Sequence, residues 1–219
     1  MGRSAKSESS SNKPRQVRDA EATKAQILDA AMEEFAKHGL SGARTEAIAS
    51  RSGVTKAMIY YYFESKEKLY QAVLHRLDFP INDMIRETNL EQLPAEEALK
   101  QVIQAAIAYR VQHPHLGMIL FQEANQNQGK FYKQTNWQEG FEQVISILER
   151  GIKEGCFRPV DPFLTAIHIA AVCTFYFDAY ENLKYAKPDL DLRSQEMIEQ
   201  YTEQAINLIL AGVRFNTQQ

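Results

Sequence analysis

Apolar residues recur at three- and four-residue intervals along most of the chain, the spacing that lays one face of an α-helix against a core. In residues 22–38 that face is Ile27, Leu28, Ala31, Met32 and Phe35, and Gly39 is placed to stop the helix. Residues 45–63 predict a short helix with Ala47 and Ile48 inward, a turn at Ser52-Gly53, and a second short helix. Glycine suits that turn because it adopts the left-handed backbone a tight helix exit needs. Thr45 is expected to cap the second helix and Thr55 the third. In the third, Ile59 and Phe63 sit four apart and face the first helix. Ser65 and Glu67-Lys68 open a fourth, with Leu69, Val73 and Leu77 on one face, running to about Phe79 before Pro80.

Longer helical patterns follow over 94–112 and 115–127, parted by His113-Pro114, and over 137–154, where Phe141, Val144, Ile145 and Leu148 recur. Residues 128–136 read as a polar loop, and 155–162 and 187–192 as connections. Residues 163–184 are almost continuously apolar and aromatic, and 195–213 form a last helix. No stretch alternates with a period of two and no repeat recurs, so the chain reads as all-α.

Forty-four per cent of the 219 residues are hydrophobic, enough for a large core. The net charge of −3 hides an asymmetry: residues 1–76 carry +4 and residues 77–219 carry −7. A basic head can touch phosphate while an acidic body stays clear of it. Residues 1–20, polar and basic, are expected to be disordered, either as a frayed terminus or as a basic arm in which Lys13, Arg15 and Arg18 reach nucleic-acid phosphate or the minor groove. The expected division is thus arm 1–20, head 21–78 and body 79–219. Two cysteines, Cys156 and Cys173, form neither a disulfide framework nor a zinc pattern, consistent with a reducing, cytoplasmic setting. The sequence shows neither a signal peptide nor a run of about 18 apolar residues, so no membrane role is expected.

The pair of short helices at 45–63 has the layout of a helix-turn-helix, whose second helix enters the major groove of DNA. Thr55 and Lys56 stand at the start of that helix, where a hydroxyl and backbone N–H groups can bind phosphate. Tyr60, Tyr61 and Tyr62 span about 200° of helix, so at least one phenol must face outward, towards thymine methyls or phosphate.

The stretch from about Ala25 to Leu74 resembles the DNA-binding domain of the TetR family of transcriptional regulators. Phe35 to Gly39, Thr45, Ile48-Ala49, Gly53-Val54-Thr55, an aromatic pair, Phe63, Ser65-Lys66-Glu67 and Leu69 follow the family pattern in order and spacing. By that resemblance Thr45 caps helix two and contacts phosphate. Thr55 and Lys56 are the pair at the start of the recognition helix, Tyr60 and Tyr61 touch backbone and bases, and Lys66 clamps a phosphate. Two positions depart from the pattern: Ala57 stands where glycine or a small polar residue is common, and Tyr62 where histidine is frequent. Arg44, just before the cap, is a further candidate base or minor-groove contact.

The resemblance also implies a C-terminal half that binds a ligand and dimerises. The run Cys173 to Asp178 is too apolar all round for a solvated helix, so another element or chain must cover it. It either is an internal core helix or, with the last helix, supplies two helices of a two-fold bundle in the homodimer that the resemblance implies. Tyr109, Phe121, Trp137, Phe141, His168 and Tyr176 are the candidate pocket residues for a small apolar or aromatic effector, against the commoner role of such side chains as core. His113 and His115 lack an evident third ligand, so no metal is expected, and no cofactor is implied. Cys156, near Lys153 and Arg158, is weighed as a redox-sensitive thiolate against a small structural residue. No phosphate loop, nucleophile elbow or catalytic set appears, so the chain is not expected to be an enzyme. The expected function is a dimeric repressor released from a palindromic operator by a small molecule. The alternatives are an architectural or partner-regulated DNA-binding protein of the same fold, or an activator.

Overall fold

A computed structural model describes residues 13–76, 89–134 and 137–215, and the chain divides after Val73 into two compact units. The expected boundary at 78/79, Leu77, Phe79 and Pro80, arm residues 1–12, and the side chains of Lys13, Arg15 and Arg18 lie outside the described residues.

Four helices are described from Lys13 to Arg76: α1 (Lys13–Gly42), α2 (Thr45–Ser52), α3 (Lys56–Phe63) and α4 (Lys66–Arg76). The first begins well before residue 22, so residues 13–20, expected within the disordered arm, are helical. Pro14 sits in the first turn, where its missing N–H costs no intrahelical bond. Gly39, at φ 64° and ψ −178°, breaks the helical geometry of α1 where a stop was expected. The core of this unit joins Ile27, Ala31 and Phe35 of α1 to Ile48, Ile59 and Leu69 of the next three helices, all buried. Phe35 meets Tyr70 edge-on at 5.0 Å. Each large side chain so buried contributes roughly 1.5–3 kcal/mol, which lets helices as short as α2 and α3, unstable alone, persist here.

The second unit contains α5 (Ala95–Gln112), α6 (Leu116–Asn127), a 3-10 turn (Tyr132–Gln134), α7 (Trp137–Glu154), α8 (Pro162–Asp178), α9 (Tyr180–Ala186) and α10 (Gln195–Val213). Leu99, Val102 and Ile103 of α5 pack at its centre with Leu148 of α7, Ile169 of α8 and Ile209 of α10. Two starts are side-chain capped: Asp161 accepts from the Leu164 N–H at 2.8 Å, and Ser194 from that of Met197 at 3.3 Å. The apolar stretch over 163–184 forms two helices, bent by 71° at Ala179. No glycine or proline marks that bend; it coincides with the pairing of Asp178 with buried Arg110 of α5. Among the described residues no single helix is long and apolar enough to cross a membrane.

Candidate nucleic-acid interface

The geometry of α2 and α3 is set by a few polar contacts. Gly53 takes φ 70° and ψ 17° and donates its N–H to the Ala49 carbonyl, closing α2 in a left-handed turn. Thr55 then caps α3, accepting the Met58 N–H at 3.3 Å. Thr45 does not cap α2. Arg44 holds the cap position, Thr45 is the first helical residue, and its buried hydroxyl lies 3.4 Å from the Glu46 carboxylate. A carboxylate from α1 does the capping instead: buried Glu34 accepts the Arg44 backbone N–H at 3.1 Å. A negative group at a helix N-terminus also meets the positive end of the helix dipole. Arg51 approaches Glu34 at 3.8 Å and Glu33 at 3.5 Å, fastening α2 to α1 at its other end. The sequence reading missed Glu34, because a cap drawn from a different helix leaves no local spacing signal.

On α3 the tyrosine run separates by environment. Ile59 is buried, Tyr60 is 40% exposed and Tyr61 80% exposed. Tyr62 is half-buried, meets Tyr61 edge-on at 5.2 Å, and lies 6.0 Å from the Lys24 ammonium of α1. Phe63 is also half-buried. Arg44, Thr55, Lys56 and Ala57 are exposed. The starts of α2 and α3 are tied together, because Lys56 donates to Glu46 at 2.5 Å. That contact holds the Glu46 carboxyl below and the Lys56 ammonium above their ordinary ranges. Lys56 also lies 5.9 Å from the Tyr60 ring. Glu46 was likewise absent from the sequence reading.

Lys66, expected to hold a phosphate, is engaged with backbone carbonyls in the free chain. Its ammonium donates to the carbonyls of Ser41 at 3.2 Å and Ala43 at 3.0 Å, pinning the link between α1 and α2. Glu64, between α3 and α4, sits at φ 62° and ψ −47°, with the Ser65 N–H reaching the Phe63 carbonyl at 2.5 Å. That three-residue turn is a strained form for a residue with a side chain.

The six expected pocket residues do not converge. Trp137 and Phe141 stack at 4.9 Å and line an apolar cavity of ~80 Å³ with Val102, Ile169, Cys173 and Thr174. Tyr176 lines a different cavity, of ~230 Å³. Tyr109 is buried against His113, with ring centres 4.2 Å apart. Phe121 and His168 are exposed and line neither cavity. Helical periodicity placed each on a helix, yet not on the side facing a shared space. The Cys156 thiol is pushed up by burial and by Glu154, against the thiolate reading, while Arg158 is engaged with the Gly212 carbonyl at 2.6 Å. Burial pushes Cys173 up to about 12. Among the described residues no three His, Cys, Asp or Glu side chains gather as a metal site.

An exposed tyrosine-bearing helix, held by a capped turn in a small helical head and followed by a larger helical body, defines a two-part DNA-binding regulator. Residues 27–73 match the family described as bacterial regulatory proteins, tetR family, and residues 95–209 the tetracyclin repressor-like C-terminal domain. The HTH-type transcriptional repressor NicS of Pseudomonas putida is 33% identical over 167 residues, covering 73% of this chain and 78% of that protein. The chain belongs to the TetR family of transcriptional regulators, which bind operator DNA and form dimers. Its fold is that of the ketosteroid transcriptional regulator KstR2 of Mycobacterium tuberculosis, at TM-score 0.71 and 22% identity over 88% of this chain and 95% of that one. The regulator FadR of Bacillus subtilis, solved in complex with stearoyl-CoA, matches at TM-score 0.63 and 21% identity over 87% of this chain and 99% of that one.

Proposed function

We propose that the protein is a cytoplasmic repressor that grips a palindromic operator as a homodimer and releases it when a small apolar or aromatic effector enters the body. The observation that carries this reading is the exposure of Tyr60 and Tyr61 on a helix whose start offers Thr55 and Lys56. Phenol rings supply apolar contact to thymine methyls, and the hydroxyl and ammonium supply phosphate contacts. Arg44 and the exposed backbone edge at Ala57 extend the same set. Thr45 and Tyr62 take a smaller share, because one is buried and the other turns towards α1.

One short helix reads few base pairs, so specificity asks for two heads in successive major grooves, about 34 Å apart. An exposed apolar stripe supports dimerisation through α8 and α10: Leu164, Ile167 and Phe175 on one helix, Leu208 on the other, with Phe215 just beyond it. Such a stripe is costly in water and is covered by a second copy. The effector is assigned to the Trp137–Phe141 cavity. At ~80 Å³ it is smaller than the roughly 300–1,000 Å³ of drug-sized sites, so an effector enters by pushing α7, which carries both stacked rings, away from α5 and α8. That displacement of α7 is the step that favours a head spacing unable to match successive grooves.

Leu208→Arg tests the dimer. Light scattering should give twice 25.0 kDa for the native protein and 25.0 kDa for the variant, with operator binding lost by the variant and weak non-specific binding kept. A native monomer that still binds a palindrome tightly would refute the reading.

A further inference from the structure

A second cavity, of ~230 Å³, opens in the body where the ends of α5 and α8 meet α9 and the start of α10. Unlike the first, it is walled by charge as well as rings: Arg110 and Arg193 stand with Tyr176, Phe177, Tyr180 and Val111. Arg110 is only 4% exposed. It pairs through Nη2 with Asp178, while its Nε–H has no hydrogen-bond partner. A buried guanidinium with an unused N–H is an unfavourable arrangement that an acceptor in the cavity would relieve. Gly117 of α6 makes the pairing possible, since a Cβ there would overlap both Arg110 and Asp178.

Arg193 approaches from the opposite chain segment. Its guanidinium carbon lies 3.7 Å from the centre of the Tyr180 ring, and it makes no ion pair among the described residues. Three acids stand near: Asp178 is held by Arg110, Asp191 accepts the Arg193 backbone N–H at 3.0 Å, and Glu181 pairs with Lys184. The Tyr176 hydroxyl is already committed to the Leu192 carbonyl at 2.6 Å. What remains unspent in the cavity is therefore donor capacity on two guanidinium groups, set between aromatic and aliphatic walls.

We propose that this cavity binds a small planar carboxylate, its ring between Phe177 and Tyr180 and its carboxylate bridging Arg110 and Arg193. Guanidinium groups match a carboxylate with parallel N–H bonds, and their planes stack on rings. At ~30 Å³ for each water, the ~230 Å³ space holds about eight waters, which suits one ring and one carboxylate rather than a long chain. The site is separate from the Trp137–Phe141 cavity and does not depend on release from an operator.

Calorimetric titration of the full chain with sodium benzoate tests this, with benzamide as the neutral isostere and inorganic phosphate as a compact anion. Benzoate should bind at least about ten-fold more tightly than either control, the worth of one charge-assisted pair. Arg193→Ala should weaken it about ten-fold, and Asp178→Asn, which frees Arg110 and removes a like charge, should strengthen it several-fold. Trp137 is the chain's single tryptophan and lines the other cavity, so its emission should stay constant on binding. The proposal is overturned by absent benzoate binding, by equal binding of benzamide or phosphate, by indifference to both substitutions, or by quenching of Trp137.

Discussion

Glu46 of α2 and Lys56 of α3 form an ion pair at 2.5 Å across the helix-turn-helix, so the first lysine of the recognition helix is already neutralised before DNA arrives. Both side chains are largely solvent-exposed, which makes the pair weak in stability terms and easily exchanged for a phosphate. Glu46→Gln should therefore tighten binding to any duplex several-fold without altering the melting temperature. Lys56→Ala should weaken binding to all sequences and reduce the slope of log K against log salt by about one unit. Fluorescence anisotropy over a salt series reads both; a Glu46→Gln protein no tighter than native would show that the pair does not restrain Lys56.

Lys66 makes a different prediction from its family role. Because its ammonium holds the Ser41 and Ala43 carbonyls, Lys66→Ala should destabilise the head by about 1 kcal/mol, the typical worth of such bonds. Chemical denaturation followed by tyrosine fluorescence measures this. A full loss of DNA affinity with unchanged stability would place Lys66 on phosphate alone.

The turn at Glu64 stores strain in a side-chain residue at φ 62°. Glu64→Gly should relieve it and stabilise the head by about 0.5–1 kcal/mol, after the extra backbone entropy of glycine is deducted. Any destabilisation on thermal melting would mean that the Glu64 side chain matters more than its backbone.

In the body, Arg214 donates its Nε–H to Glu96 at 2.8 Å and holds that carboxyl down at about 2, against an ordinary 4.5. A depressed carboxyl contributes stability above its unfolded value and loses it as the pH falls through the folded one. The loss therefore falls between pH 4.5 and about 2. Solvent screening limits it to about 0.5–1 kcal/mol. Glu96→Gln should flatten the acid side of the melting-temperature profile by that amount; an unchanged profile would show the pair to be energetically idle.

Much of the head was legible because its signals are local. Gly53, Thr55 and Ile59 each sit where a turn, a cap and a core position need that residue type, within a few positions of one another. The cap on α2 was not legible, since Glu34 reaches Arg44 from ten residues away, and Thr45 satisfied the local rule without performing the role. The backbone contacts of Lys66 were not legible for the same reason: its partners lie 25 and 23 residues upstream. In the body, periodicity found the long helices but not the bend at Ala179, which coincides with the pairing of Asp178 to buried Arg110 of a helix far away in the chain. Phe121 and His168 looked like pocket residues because aromatic type is visible in a sequence and the direction a helix faces in three dimensions is not.

Selection of bound sequences from a random duplex pool with the full-length protein tests the central claim most directly. The reading of α3 as the recognition element of a dimer predicts an inverted repeat with half-site centres about 34 Å apart, and a loss of preference, with non-specific affinity kept, in Tyr60→Ala and Tyr61→Ala. A pool that emerges without symmetry, or one that both tyrosine variants enrich as the native protein does, would contradict it.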